Sequence, residues 1–210
     1  MDEAAEDSAE TRDLLRRAGD GDRQACARLL DRHRPDLRAF IERRLDPRLT
    51  ARLDASDVVQ DAQLEALRRL PDYLRRRPMP FRRWLRKTAY ERLLMLRRRH
   101  LRAAGRAVGR EAAWPDPSSL ALAGRLFAPG STPSRRLARD ELARRVRAAL
   151  DRLAEGDRDV LLMRHYDGMS NEEVADVMGV EPAAARKRYS RALMRLHGML
   201  SDGDPQEFQP

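Results

Sequence analysis

Along two long stretches, residues 11 to about 106 and 134 to about 200, apolar positions recur three and four residues apart, the period of amphipathic helices. Runs of β-branched or aromatic residues that would signal strands are few. Gly19-Asp20-Gly21, Pro35, Asp46-Pro47, Pro71 and Pro78-Met79-Pro80 are expected to break the first stretch into separate helices. Asp22 and Ser56 are placed to cap the helices that follow them. Between 107 and 133 the pattern fails, because Gly109, Pro115, Pro117, Gly124, Pro129, Gly130 and Pro133 interrupt it. This segment reads as a flexible linker with room for a short helix over 120–127. Residues 1–10 read as a disordered acidic arm and 201–210 as a disordered tail. The pattern predicts an all-α chain of two small helical domains, 11–106 and 134–200, joined by the linker, with no internal repeat.

Charge adds the first hint of a partner. The 210 residues are 37% charged and carry a formal net charge of +9, so a densely negative partner is implied, with nucleic acid the usual one. Only Lys87 and Lys187 among the basic residues are lysine, a bias that genome composition explains as well as phosphate recognition does. The one cysteine, Cys26, excludes an intramolecular disulfide framework or a multi-cysteine zinc site. The first ten residues lack the apolar segment of a signal peptide, and no apolar run has the length of a membrane span, so a cytoplasmic protein is expected.

The sharpest local signal is residues 170–193. Ser170 and Glu173 form a capping box, Val174, Val177 and Met178 give the helix an apolar face, and Ala175 leaves room for a second helix. Gly179 supplies the turn, Val180 points back inward, and Pro182 suits the first turn of the next helix. There Ala185, Tyr189, Ala192, Leu193 and Leu196 form a buried stripe, opposite Arg186, Lys187, Arg188, Ser190 and Arg191. A short helix, a glycine turn and a basic helix make a helix-turn-helix, whose second helix enters the major groove. A plain helical hairpin lacks a reason for all these features at once. Arg186, Lys187, Arg188 and Arg191 are the expected DNA contacts; Ala183 and Ala184 offer only apolar contact.

A second basic surface lies between Arg75 and Arg106, where thirteen cations face one acid, Glu91. Phe81, Trp84 and Tyr90 are interleaved with them. Cations with planar rings suit opened DNA, yet Phe81 and Trp84 fall at core spacing together with Leu85 and Thr88. Those two read as core, and Tyr90 stays open between core and base contact. In the preceding helix, Val59, Ala62, Ala66, Leu67 and Leu70 are expected to face inward, and Asp57, Gln60, Asp61, Leu64 and Glu65 outward. An exposed leucine among carboxylates resembles an interface. Asp57, Asp61 and Glu65 also repeat every four residues, but no histidine or second ligand-bearing helix supports a metal site.

Taken in order, DASDVVQDAQLEAL, PFRRWLRKTAYERLLMLRRRH and LDRLAEGDRDVLLMRHYDGMSNEEVADVMGVEPAAARKRYSRAL resemble a bacterial sigma factor of the extracytoplasmic-function (ECF) class, over residues 14 to about 200. The resemblance implies a sigma-two-like bundle and a sigma-four-like helix-turn-helix domain. It implies that Asp57, Val58, Gln60, Asp61 and Leu64 dock on core RNA polymerase. Arg82, Arg83, Arg86, Lys87, Tyr90, Arg97 and Arg98 would meet the minus-ten element and its displaced strand. Arg186, Lys187, Arg188 and Arg191 would read the minus-thirty-five element, and the linker would thread toward the polymerase active site. An anti-sigma factor is the implied regulatory partner. Where the family usually shows an arginine-asparagine pair and a later aspartate in the minus-ten helix, this chain has Tyr90, Glu91 and Met95; its recognition helix is capped by Glu181 rather than serine.

Two other classes are weighed. An ordinary two-domain activator or repressor would use the same helix-turn-helix but need no acidic interface helix. An enzyme finds no support: His33, His100, His165 and His197 are scattered, and no phosphate loop or nucleophile elbow is present, so neither a catalytic group nor a cofactor is expected. Membrane-surface binding by the arginine-rich helix is disfavoured because its apolar face is needed for a core.

Overall fold

A computed structural model describes residues 7–45, 54–104 and 133–201. Helices α1 (Ala9–Gly19), α2 (Arg23–Glu42), α3 (Ala55–Arg76) and α4 (Phe81–Ala104) make up the first of two units. The second holds α5 (Pro133–Arg152), α6 (Glu155–His165), the N-terminal part of α7 (Asn171–Met178), and α8 (Pro182–Ser201). Among the described residues there is no strand.

In the first unit α2 packs on α1, α3 and α4, and α3 packs on α4. Leu15, Leu29, Leu37, Phe40, Ile41, Val59, Ala62, Phe81, Leu85 and Leu93 are buried between them. Each large side chain of this kind contributes roughly 1.5–3 kcal/mol, so the apolar stripe decides which face of each helix turns inward. The α1–α2 turn uses Gly21 at φ 89°, a backbone state only glycine adopts cheaply. Asp22 then caps α2 as expected, accepting from the N–H groups of Gln24 (2.9 Å) and Ala25 (3.0 Å).

Several boundaries differ from the sequence expectation. Pro35 and Pro71 lie inside α2 and α3 rather than breaking them. Both prolines are exposed, as are Asp31 and Leu67 one turn earlier, so water can serve the carbonyls that lose a partner. The cap of α3 is Asp54, which accepts from the Ser56 N–H at 2.8 Å, and Ser56 sits one residue inside the helix. Residues 7–10 of the expected acidic arm are ordered, because α1 begins at Ala9 under a Ser8 cap, and residues 1–6 lie outside the described residues. Asp7 is anchored too: the Phe81 N–H donates to both its carboxylate oxygens (2.8 and 2.9 Å), which fixes the start of α4. The linker core, the short helix over 120–127 and the tail beyond 201 lie outside the described residues.

In the second unit α8 packs on α6 and α5. Val146, Leu150, Val160, Leu161, Met163, Ala185, Ala192 and Leu196 are buried.

Candidate nucleic-acid and polymerase interfaces

The helix-turn-helix forms as the local signals require. The Glu173 N–H donates to Ser170 Oγ (3.1 Å) and the Ser170 N–H returns to Glu173 Oε2 (2.8 Å), the reciprocal capping box. After α7, Gly179 takes φ 65° and the Val180 N–H closes onto the Ala175 carbonyl at 3.1 Å. Pro182 opens α8, whose buried edge is Ala185, Ala192 and Leu196; Tyr189 and Leu193 are half-buried. The Tyr189 hydroxyl is 2.9 Å from His165 Nε2 and joins α8 to α6, and burial together with Arg164 pushes the His165 pKa down.

Arg186, Lys187, Ser190 and Arg191 are exposed on one face of α8. Arg186 stands one turn before Ser190 and Lys187 one turn before Arg191, so this face presents four side chains with hydrogen-bond donors. Arg188 is different. It is half-buried, and its guanidinium lies over Gly156 at the start of α6, where a Cβ would approach Nη1 to 3.3 Å. Of the four cations expected on the recognition face, three point outward and Arg188 packs along the α6 edge.

In α4 the expected minus-ten residues separate into two groups. Tyr90, Arg86 and Arg97 are buried, at 2%, 6% and 1% exposure, so these three are corrected from surface contacts to parts of the core. Arg97 donates to the Arg44 carbonyl, and Thr88 is bonded to the Trp84 carbonyl. Phe81 and Trp84 are core as read, in a cluster with Tyr73 and His33 whose ring centroids lie 4.6–5.6 Å apart. Arg86 and Arg97 are in phase with Tyr90 and Leu93 at steps of four and three, a signal that was readable in the sequence. Arg98 is exposed, and Arg83 and Lys87 are partly exposed.

Arg82 and Arg86 share one acid that sequence reasoning missed. Asp36 of α2 accepts from Arg82 Nε and Nη2 (3.2 and 2.7 Å) and from Arg86 Nε and Nη2 (3.0 and 2.7 Å). Burial alone would raise its pKa, but the two guanidinium groups outweigh burial and hold the carboxyl well below the usual range.

On α3, Asp57 and Gln60 are exposed and Leu64 is 49% exposed, so these three face outward as expected. Val58 is fully buried beside Val59 and cannot dock directly, whereas Leu67, expected inside, is 41% exposed. The helix rotates by less than one residue step from the assumed phase, enough to exchange these positions. Asp61 is half-exposed and pairs with Arg92 of α4 (3.1 Å), and Glu65 pairs with Arg69 (2.6 Å). Among the described residues no group of three His, Cys, Asp or Glu is placed to hold a metal. Nor is any described helix long and apolar enough to cross a membrane.

Residues 29–103 match the family model described as Sigma-70 region 2, and residues 143–196 the model described as Sigma-70, region 4. The chain is similar to RNA polymerase sigma factor CnrH of Cupriavidus metallidurans, with 32% identity over 195 residues, covering 92% of this chain and 95% of that protein. It is also similar to ECF RNA polymerase sigma factor SigD of Mycobacterium tuberculosis, with 30% identity over 176 residues, 84% of this chain and 77% of that protein. Among solved structures, CnrH in complex with the cytosolic domain of CnrY superposes with a TM-score of 0.58 at 25% identity, covering 93% of this chain and 99% of that chain. The sigma factor RpoE in complex with the anti-sigma factor NepR from Bartonella quintana shares the fold, with a TM-score of 0.58 at 21% identity over 83% of this chain and 96% of that chain. With both sigma-70 regions in order and full-length relatives of this kind, the chain belongs to the sigma-70 family as an RNA polymerase sigma factor of the ECF class.

Proposed function

We propose that this sigma factor grips promoter DNA with two separate cationic surfaces while an acidic, leucine-bearing face of α3 docks on core RNA polymerase. The observation that carries the reading is the pairing of an exposed Arg186–Lys187–Arg191 face on a capped helix-turn-helix with a second arginine-rich helix in the other unit. Residues 134–200 bind the minus-thirty-five duplex. Residues 11–106 bind polymerase through Asp57, Gln60, Asp61 and Leu64, and meet the minus-ten element through Arg82, Arg83, Lys87 and Arg98. Residues 107–133 connect the two.

In this mechanism α8 enters the major groove and its cations displace counterions from the duplex. An unpaired base of the displaced strand is captured against α4, which must offset unstacking of a few kcal/mol. Buried Tyr90, Arg86 and Arg97 hold that helix in place rather than touching DNA. Polymerase carries the chemistry, so the chain acts as a non-catalytic factor in the cytoplasm. An anti-sigma protein covering the polymerase-binding surface would hold it inactive; the solved relatives, which are complexes with CnrY and with NepR, support such a partner.

The test is transcription from a genomic promoter library by core polymerase with and without the chain, with transcript 5′ ends sequenced. New start sites sharing two spaced motifs are expected. No gain in specific initiation over core alone would leave only an ordinary operator-binding regulator.

A further inference from the structure

We propose that Asp36 is a positioning residue for promoter opening, its carboxylate holding the Arg82 guanidinium in place for the displaced strand. The inference rests on the reading that α4 meets that strand. Arg82 and Arg86 stand one turn apart on α4, where two like charges repel. Asp36, on α2, sits between them and accepts two hydrogen bonds from each, a geometry available to arginine but not to lysine.

The two arginines are not equivalent. The Arg86 side chain is 7% exposed, and its guanidinium lies 5.4 Å from the Phe40 ring centroid. Withdrawing its acid would strand a buried charge. The Arg82 side chain is 43% exposed and reaches solvent. Arg86 therefore fixes the carboxylate, and the carboxylate fixes Arg82, engaging one edge of its five-donor guanidinium. A long side chain ordered beforehand loses less rotamer freedom when it grips a phosphate. The low pKa of Asp36 keeps the clamp charged at neutral pH.

The sign of one substitution separates positioning from plain electrostatics. Asp36→Asn removes a negative charge close to the proposed DNA surface, so charge alone tightens DNA binding. Loss of positioning weakens it. Holoenzyme assembled from the full chain and core polymerase is titrated with fluorescent fork DNA, its sequence taken from a start site the holoenzyme uses, with the minus-ten strand unpaired. The same sequence as full duplex is the control.

Arg82→Ala is measured first; unchanged fork affinity would take Arg82 off the DNA and reject the reading on which the inference rests. With that loss observed, Asp36→Asn is expected to weaken fork binding about tenfold, the effect of misplacing one charge-assisted contact. Duplex affinity is not weakened, and in the Arg82→Ala background Asp36→Asn causes no further loss, leaving only the slight tightening that removal of its charge gives. Arg82→Lys keeps the charge but not the paired hydrogen bonds and should reproduce the loss, which covers a failure of Asp36→Asn to fold. Asp36→Asn binding the fork as tightly as the native chain, or Arg82→Lys doing so, overturns the proposal. An Asp36→Asn loss that persists undiminished without Arg82 overturns it as well.

Discussion

Removing the exposed cations of α8 should change the salt dependence of promoter binding by a calculable amount. Arg186, Lys187 and Arg191 are exposed on one helical face, while Arg188 lies against Gly156. Each phosphate neutralised on B-DNA contributes about 0.9 to the slope of log affinity against log salt. Three such contacts contribute about 2.7, a change of about 40-fold in affinity between about 50 and 200 mM salt. The assay is fluorescence anisotropy of a promoter duplex titrated with holoenzyme at stepped salt. Single alanine substitutions at 186, 187 and 191 should each flatten the slope by about 0.9 where the side chain meets a phosphate. One that reads a base instead should leave the slope and cost about 1–3 kcal/mol at one base pair. Arg188→Ala should leave the slope nearly unchanged and lower thermal stability through lost packing. Unchanged slopes and unchanged base preference in all three variants would refute the assignment of this face. So would an Arg188→Ala drop as large as theirs.

Ser170→Ala removes the cap of α7 and should cost about 1 kcal/mol, read as a lower thermal midpoint, with Ser170→Gly losing only a few tenths. The pairing of Asp36 depresses its folded pKa, so its stabilisation is fully present above the ordinary carboxylate value and fades as pH falls below about 4. Thermal midpoints followed from neutral to acid pH should fall less steeply in Asp36→Asn; identical profiles would contradict the assignment. Leu64→Asp, at an exposed position, should weaken core-polymerase binding in a pull-down while leaving the melting curve intact. Val58→Asp, at a fully buried one, should destabilise the fold by several kcal/mol.

The helix-turn-helix was legible because its determinants are local. Ser170, Glu173, Gly179 and Pro182 lie within a dozen or so consecutive positions, and each acts through its own backbone. The features that sequence reading missed depend on partners far away along the chain. Asp7 caps Phe81 across 74 residues, and Asp36 meets Arg82 and Arg86 across 46 and 50. No spacing rule joins such pairs before the helices pack. Pro35 and Pro71 read as breaks on propensity, but both stand at exposed positions, as do Asp31 and Leu67 one turn earlier, and tertiary packing carries α2 and α3 through them. Tyr90 could not be assigned because a ring at core spacing on a basic helix serves either role; its burial settles which. The exchange of Val58 and Leu67 shows how a small rotation of α3 redistributes a docking face without changing the apolar count.

DNase I and permanganate footprinting of one promoter, with core polymerase, with the chain alone and with both, tests the two-surface grip most directly. Upstream duplex protected from DNase I, together with permanganate-reactive, unpaired thymines near the start site, is expected only when both are present. Protection by the chain alone with no reactive thymines under any condition would contradict it.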